Sequence, residues 1–319
     1  MIKVLDRLPS GARVAIIRLR SLGDCVLTTP ALSLLKQARP DLQIAVVVED
    51  RFAAVFTGNP DIHRILAPNP ASLGRFRPHL AINFHGGATS VRLMLAAASG
   101  LRAGFAHFRF QPIYNVRIPR AQEILDPEIL ETDRKVHTAE HLAAAMFYLG
   151  VPHTEIPRAR LFAGPASRPR PYAVLHPFAS QPSKTWPREN FLALARHLEN
   201  SLGIEPLFIA GANEDLSAFG QYTCFLGTPL EEVKSLLAGA ALFAGNDSGP
   251  AHMAAAFGRP VAVLFGSSDV DVWRPWRTQN AVLTNPDGIG AIPISEVVSA
   301  IEVLVQDASL VPMPAPHSA

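Results

Sequence analysis

The chain has little of what marks a metal-binding or membrane-spanning protein. Its 319 residues include two cysteines, Cys25 and Cys224, which are far apart and lack metal-ligand spacing, so we expect reduced thiols. No stretch approaches the roughly 20 apolar residues of a membrane span. The first residues include Lys3, Asp6 and Arg7 and lack the apolar core of a secretory signal. We therefore expect a cytoplasmic protein that contacts a membrane only peripherally.

The chain has few charged residues, and the turn after its first predicted strand has few glycines; these two features argue against two further classes. Charged residues make up 18% of the chain and the formal net charge is +2, which gives no general case for nucleic-acid binding. The turn after the first predicted strand, 18–25, contains one glycine, Gly23. The Gly-x-Gly-x-x-Gly pattern of dinucleotide-binding proteins is absent there, which argues against a dehydrogenase. A hydrophobic content of 48% indicates a well-packed globular protein.

Short apolar runs alternate with longer helical patterns along most of the chain. We predict strands at 14–19, 44–48, 80–84, 172–176, 206–210, 242–244 and 261–265, and helices at 26–38, 138–149 and 188–202. The pattern pauses between Gly104 and Asp133, where Arg, Phe and Pro are frequent. The alternation predicts an α/β protein with parallel sheets covered by helices on both faces.

A proline-rich segment, 162–171, separates two similar halves. It contains three prolines and a glycine, which do not fit the interior of a helix or a sheet. We predict Rossmann-like domains over 1–165 and 166–305, followed by a Pro-rich tail over 306–319. Their parallel sheets are expected to face an interdomain cleft, a usual place for a ligand.

The segment 244–252 has the features of a phosphate-binding turn between a strand and a helix. Ser248 can cap the helix, Gly249 lets an anion approach the backbone, and Pro250 suits the first helical turn. The amides of that turn and the helix dipole favour a phosphate. Asp247 can accept hydrogen bonds from a sugar hydroxyl. Helices that bind no ligand also begin in this way.

Polar side chains on other loops of the second half also suit a nucleotide. Ser180 can donate to a diphosphate and Lys184 can neutralise it. Glu214 can accept hydrogen bonds from ribose hydroxyls, and His252 can point toward the ligand. The alternatives are a solvent-facing lysine, an ordinary first-turn glutamate and a packed histidine.

Asp24 is the candidate general base. It stands where the helix after the first strand begins, a position that favours an ionised carboxylate, and such a group can accept a proton from a hydroxyl. A plain helix cap is the alternative. The triplet Asp269-Val270-Asp271 resembles metal-binding acidic triplets, but no second acidic cluster accompanies it. We therefore predict no metal site.

Arginines alternate with aromatic residues between 102 and 120. Arginine forks bind carboxylates and phosphates, and exposed aromatic rings suit a sugar face or a lipid surface. As a group these side chains suggest an anionic acceptor, although any one of them can be part of an ordinary basic loop.

Together these segments resemble the lipopolysaccharide heptosyltransferases, glycosyltransferase family 9. The resemblance extends in chain order over 21–32, 184–187, 236–240, 246–252 and 265–269. It implies a GT-B fold, with the acceptor bound by the N-terminal domain and the donor by the C-terminal domain. It also implies an ADP-heptose donor, inversion at the anomeric carbon, and neither a cofactor nor an essential metal.

The resemblance also assigns roles to residues of this chain. The catalytic base is Asp24, and the donor-binding residues are Ser180, Lys184, Glu214, Asp247, Ser248, Gly249 and His252. The expected acceptor-binding residues are His85, Arg109, Arg117 and Arg120, and the expected acceptor is an anionic lipid-linked glycan such as the lipopolysaccharide core. The segment 83–86 departs from the family's usual Asp-x-Gln-Gly, a change that concerns the acceptor more than the donor.

Three other functions fit the same residues. One is a transferase that uses another nucleotide sugar, because adenine and uracil pockets have no distinct signature here. Another is a nucleotide-sugar epimerase on the same scaffold, which needs no acceptor. The last is a binding protein without activity, against which Asp24 and Lys184 argue.

Overall fold

The chain folds into two compact units, Met1–Phe162 and Ala163–Ala319. A computed structural model describes residues 3–126 and 134–310, with side chains up to residue 307. Residues 151–171 form neither helix nor strand. Residues 311–319 of the predicted tail lie outside the described residues. No helix in the described part of the chain is both long and apolar enough to cross a bilayer.

The first unit contains a parallel sheet of six strands. The strands are β1 (Arg13–Ile17), β2 (Gln43–Val47), β3 (Arg64–Leu66), β4 (Leu80–Asn83), β5 (Leu101–Phe105) and β6 (Val116–Ile118). The helices are α1 (Leu22–Ala38), α2 (Asp50–Ala53), α3 (Pro70–Phe76), α4 (Ala88–Ala96), α5 (Ala121–Leu125) and α6 (Thr138–Leu149). The strand order is β3-β2-β1-β4-β5-β6, so the direction of winding reverses between β1 and β4. Ligands of open α/β sheets bind at the carboxyl ends of such strands.

The second unit repeats this plan with a second parallel sheet. Its strands are β7 (Tyr172–His176), β8 (Glu205–Ala210), β9 (Thr223–Leu226), β10 (Leu242–Asn246), β11 (Val261–Leu264) and β12 (Asn280–Leu283). Its helices are α7 (Arg188–Leu202), α8 (Leu230–Gly239), α9 (Gly249–Ala256), α10 (Val270–Trp273) and α11 (Ile294–Leu310). The order β12-β11-β10-β7-β8-β9 places the reversal between β10 and β7.

The central strands are buried on both faces, which explains why they read as continuous apolar runs. All five residues of β7 are buried, as are four of the five in β1. Residues Val14 to Ile17 pair in parallel register with β2 and β4. Such a sheet needs helices on both sides to exclude water. The predicted α/β class with two parallel-sheet domains is confirmed.

Three predicted boundaries need correction. Helix α1 begins at Leu22, four residues before the predicted start, because a serine–aspartate capping box forms at its first turn. The interval 104–133 is not wholly irregular, since β6 and α5 lie within it; they are too short to show a period. Helix α11 runs five residues beyond 305, because the first proline after it is Pro312.

Candidate active site

Asp24 lies in the first turn of α1, at the carboxyl end of β1. Its Oδ2 accepts hydrogen bonds from the backbone amide of Ser21, at 3.2 Å, and from the Ser21 hydroxyl, at 2.9 Å. Its Oδ1 accepts from Arg18 Nη1 at 3.2 Å. The side chain keeps 23% of its surface exposed. The carboxylate is therefore oriented on three sides and still open to solvent.

Arg18 is a buried partner that the sequence did not single out. Burial lowers the pKa of its guanidinium, and the charge of Asp24 opposes that shift. Its Nε has no hydrogen-bond partner within the described residues. Burying an arginine is costly unless a carboxylate compensates the charge. Asp24 thus has a structural duty in addition to any chemical one.

His85 follows β4, the strand beside β1, and shares this end of the sheet with Asp24. The fully buried Asn83 organises the turn, because its Oδ1 accepts from the backbone amides of His85, at 2.9 Å, and Gly86, at 3.1 Å. Burial lowers the pKa of His85, and the charges of Arg18 and Arg20 lower it further, whereas Asp24 raises it. His85 is therefore a neutral hydrogen-bonding group close to the Asp24–Arg18 pair.

An aromatic cluster continues from this turn along the same unit. The ring of His141 stacks on Phe105 with centroids 4.1 Å apart, and the His107 ring lies 5.7 Å from that of His141. Burial lowers the pKa of His141 to about 4, and the charges of His107 and Arg18 act in the same direction. Burial also lowers the pKa of His107, with a further contribution from Arg120. Sequence reasoning missed both histidines, since neither belongs to a motif.

The three predicted acceptor arginines are not equally placed. Arg120 lies near the cluster through its charge interaction with His107. Arg109 is exposed on the loop after β5, and Arg117 is exposed on the edge strand β6. No contact described here joins Arg109 or Arg117 to Asp24.

In the second unit, His176 links two predicted donor residues. Its Nδ1 and the Ser248 hydroxyl share a hydrogen bond of 3.0 Å, and its Nε2 lies 3.9 Å from Glu214 Oε2. Glu214 Oε2 also accepts from the Gly211 amide at 2.6 Å. The nearby His176 ring and the hydrogen bond from Gly211 lower the pKa of Glu214, against the effect of burial. His176 was missed because it is the last residue of an apolar strand.

Ser248 corrects one expectation about the phosphate-binding turn. It occupies the N-cap position of α9, but its side chain makes no capping hydrogen bond and bonds His176 instead. Gly249 and Pro250 are the first two residues of the helix. The backbone amides at the beginning of an α-helix have no intrahelical acceptor, so this turn can still offer amides to an anion.

Lys184 and Asp247 are two further predicted donor residues, and the charge of Lys184 acts on Asp247. Burial raises the pKa of Asp247, while the nearby Ser268 side chain and the charge of Lys184 lower it. The loop bearing Lys184 packs directly on Gly266, where a Cβ would clash with the carbonyl oxygen of Ser183 and lie 3.0 Å from Lys184 Cα. A glycine is therefore required to seat Lys184 beside the turn.

No contact described above links Ser180 or His252 to the His176–Ser248–Glu214 group or to Lys184 and Asp247. Ser180 is exposed and lines a surface groove of about 520 Å³ together with Arg188 and Glu189. His252 is buried in α9, with its ring centroid 6.3 Å from that of Trp273. His252 is thus a packed histidine, the alternative that the sequence left open.

Local contacts account for the acidic triplet, and burial accounts for Cys25. Asp269 is the N-cap of α10, and its Oδ1 accepts from the Asp271 amide at 3.0 Å. No group of three or more His, Cys, Asp or Glu suited to a metal ion occurs within 3–126 and 134–310. Burial raises the pKa of the Cys25 thiol to about 12, which agrees with a small buried thiol.

Comparison with known proteins gives one family. The profile described as "Glycosyltransferase family 9 (heptosyltransferase)" matches residues 72–291, more than half of the chain. The chain belongs to glycosyltransferase family 9. Membership makes it a glycosyltransferase, and the family resemblance drawn from the sequence is confirmed.

Named relatives agree with this assignment. The chain is 24% identical over 330 residues to lipopolysaccharide heptosyltransferase 3 of Escherichia coli, covering 89% of this chain and 96% of that protein. Two solved structures from E. coli share the fold. ADP-heptose LPS heptosyltransferase II has a TM-score of 0.79 at 20% identity, covering 93% and 99% of the two chains. Heptosyltransferase WaaC with ADP has a TM-score of 0.73 at 22% identity, covering 92% and 99%.

Proposed function

We propose that this family 9 enzyme transfers a heptose from ADP-heptose to a hydroxyl of an anionic, lipid-linked glycan such as the lipopolysaccharide core. The transfer is a single displacement with inversion at the anomeric carbon. The second unit binds the donor and the first unit binds the acceptor. The reaction takes place in the cytoplasm, with peripheral contact to the membrane that presents the acceptor.

The observation that carries this proposal is the cluster of donor residues in the second unit. The charge of Lys184 acts on Asp247, and His176 joins Ser248 to Glu214. A cation and helix amides suit a diphosphate, and a carboxylate suits the hydroxyl groups of a ribose. The similar WaaC structure contains ADP, which favours adenine among the possible bases.

The chemistry follows from these groups. Asp24 accepts the proton of the acceptor hydroxyl while that oxygen forms a bond to the anomeric carbon of the donor. The bond from this carbon to the diphosphate oxygen breaks, and the nucleoside diphosphate leaves with the electron pair. Lys184 and the amides of Ser248 and Gly249 stabilise the charge on the leaving group. These hydrogen-bond donors are fixed by the fold, so they need no reorganisation during the reaction.

On the acceptor side, the proposal uses neutral and cationic groups in different ways. His85, which its surroundings keep neutral, can hydrogen-bond a sugar hydroxyl near Asp24. Arg120, Arg109 and Arg117 supply positive charge for phosphate or carboxylate groups of the glycan. Charged groups at the rim of a site mainly orient the partner and speed its arrival.

A binding and transfer experiment tests the proposal. Calorimetric titration with ADP, UDP and GDP should show tightest binding of ADP. Incubation with ADP-heptose and lipopolysaccharide-core acceptors should then release ADP and extend the acceptor by one heptose of inverted anomeric configuration.

The alternative functions give different results in the same assays. Preference for UDP or GDP would indicate another nucleotide-sugar transferase. Release or rearrangement of the sugar without an acceptor would indicate an epimerase. Tight nucleotide binding with no turnover on any donor would indicate a protein that only binds. Each of these outcomes contradicts the heptosyl transfer proposed here.

A further inference from the structure

A groove of about 880 Å³ lies on the first unit, away from the residues discussed above. We call it the basic groove and define it by five of its lining residues: Arg13, Arg64, Arg75, Arg77 and His63. Arg13 and Arg64 are the first residues of β1 and β3, and Arg75 and Arg77 lie at the end of α3. The groove therefore occupies the amino ends of the strands.

This position separates the basic groove from the candidate active site. Asp24 follows the carboxyl end of β1, whereas Arg13 begins that strand. The four intervals between the Cα atoms of Arg13 and Ile17 span about 13 Å at about 3.3 Å per residue. A ligand in the groove is thus a different one from the acceptor hydroxyl at Asp24.

The charge of the groove is not neutralised by the protein. No acidic side chain is among its described lining residues. No ion pair links Arg13, Arg64, Arg75 or Arg77 to a carboxylate in the part of the chain that the structure describes. Other arginines of this enzyme do form such pairs, as Arg168 does with Glu205 at 2.7 Å. Positive charges that line one groove without acidic partners favour an anion there.

The backbone at the groove supports a function for its arginines. Arg13 Nε donates to the carbonyl oxygen of Arg77 at 2.9 Å, which ties the start of β1 to the end of α3. Arg77 itself has a left-handed conformation, with φ 49°. Glycine is the usual residue there because a side chain is unfavourable in that conformation. Arg77 therefore places a cationic side chain at the groove in a position where glycine is the usual residue.

We propose that the basic groove binds a ligand carrying at least two negative phosphoryl charges. The ligand is a free phosphorylated molecule or the phosphoryl headgroup of a lipid, and both present the same chemistry to the arginine forks. The volume of the groove falls within the range of about 300–1,000 Å³ typical of small-molecule sites. A nucleic acid would need a longer basic surface, which the net charge of +2 does not favour. This inference does not depend on the proposed donor or acceptor.

The binding test uses the full chain and inorganic pyrophosphate as probe. Calorimetric titration is done with saturating ADP, so that pyrophosphate does not report on the donor residues. The wild type should bind with a stoichiometry of one, and the R64Q/R75Q variant should bind at least about 10-fold more weakly, because two charge-assisted contacts are lost. The matched control is R92Q, which removes an exposed arginine of α4 and should bind as the wild type does.

A second variant and a mapping step guard against misfolding. A Cβ at Gly74 would meet nothing within 4 Å, so G74E inserts a carboxylate into the groove without a clash and should also abolish binding. Phenylglyoxal modification followed by mass spectrometry should show that pyrophosphate protects Arg64 and Arg75 but not Arg92. Unchanged thermal melting of both variants confirms that they fold.

Further arms separate the two sources of the phosphoryl group. Binding to cardiolipin vesicles that R64Q/R75Q loses, with no binding to phosphatidylcholine vesicles, identifies a lipid headgroup. Pyrophosphate binding without vesicle binding identifies a soluble ligand. Equal pyrophosphate affinity in wild type, R64Q/R75Q and G74E, or no binding at all, overturns the proposal. Tighter binding of a single-stranded oligonucleotide than of pyrophosphate also overturns it, in favour of a nucleic-acid site.

Discussion

Arg18, with a side chain only 9% exposed, donates to Asp24 Oδ1 across 3.2 Å. The pair gives Asp24 two roles, and a single substitution of Asp24 would remove both at once. It compensates a buried positive charge, and in the proposed reaction it accepts a proton. Experiments on Asp24 must therefore separate stability from turnover.

A double-mutant cycle makes this separation. Asp24→Asn should lower turnover by about 10²–10⁴-fold, with ADP affinity largely kept. It should also lower the free energy of unfolding by roughly 2 kcal/mol, because the Arg18 guanidinium loses its partner. In the R18M/D24N variant the buried charge is gone, so urea unfolding should show stability regained. Turnover should stay low, and recovered turnover would reduce Asp24 to a structural residue.

Lys184→Gln tests the diphosphate contact. Loss of a charged hydrogen bond to phosphate should weaken ADP binding by about 10- to 100-fold and should also slow transfer. The control is Arg196→Gln, which removes an exposed cation from α7 of the same unit. Calorimetric Kd values that agree for both variants would remove Lys184 from the donor site.

Gly266→Ala tests whether the packing of the Lys184 loop is needed. The added methyl group would clash with the Ser183 carbonyl oxygen, so the loop must move. ADP affinity should fall as in Lys184→Gln, with a lower melting temperature. Gly290→Ala is the matched control, since a Cβ there meets nothing within 4 Å. If the Gly266 variant binds ADP as tightly as the wild type, ADP binding does not depend on the position of the Lys184 loop.

His141 should make the enzyme sensitive to acid. Its pKa is lowered to about 4 from the usual 6.5, so the unfolded state takes up a proton near pH 6.5 while the folded state does not. Stability is therefore lost as the pH falls from about 6.5 to about 4. His141→Phe should reduce this loss in urea unfolding at pH 7.5, 6.0 and 5.0. Exposed His63→Gln should leave the slope unchanged, and an equal slope for both variants would contradict the argument.

The arginines proposed for the acceptor should affect KM more than ADP binding. R109Q/R120Q should raise the acceptor KM about 10-fold, which corresponds to one lost charged contact. The calorimetric Kd for ADP should not change, and R92Q serves as the control. An unaltered acceptor KM would place the acceptor's charged groups elsewhere.

Local patterns predicted much of the framework. The helices at 138–149 and 188–202 and the strand at 172–176 have the predicted bounds, because their apolar periods and flanking residues are strong. The start of α1 was misplaced, since the capping box at Ser21 begins the helix at Leu22, ahead of the apolar run from Val26. β6 was missed because an edge strand of three residues carries too little pattern.

The sequence by itself determined that this is a two-domain α/β enzyme of a glycosyltransferase type. Buried parallel strands are recognisable because they are apolar throughout. A turn such as Asp247-Ser248-Gly249 is recognisable because its residues are consecutive in the chain. Only the tertiary structure decided which side chains meet. The strand order brings His176 to Ser248 across 72 positions of the chain, seats Lys184 on Gly266, and gathers four arginines at the amino ends of one sheet. Such contacts depend on which strands are neighbours, and no local period encodes that.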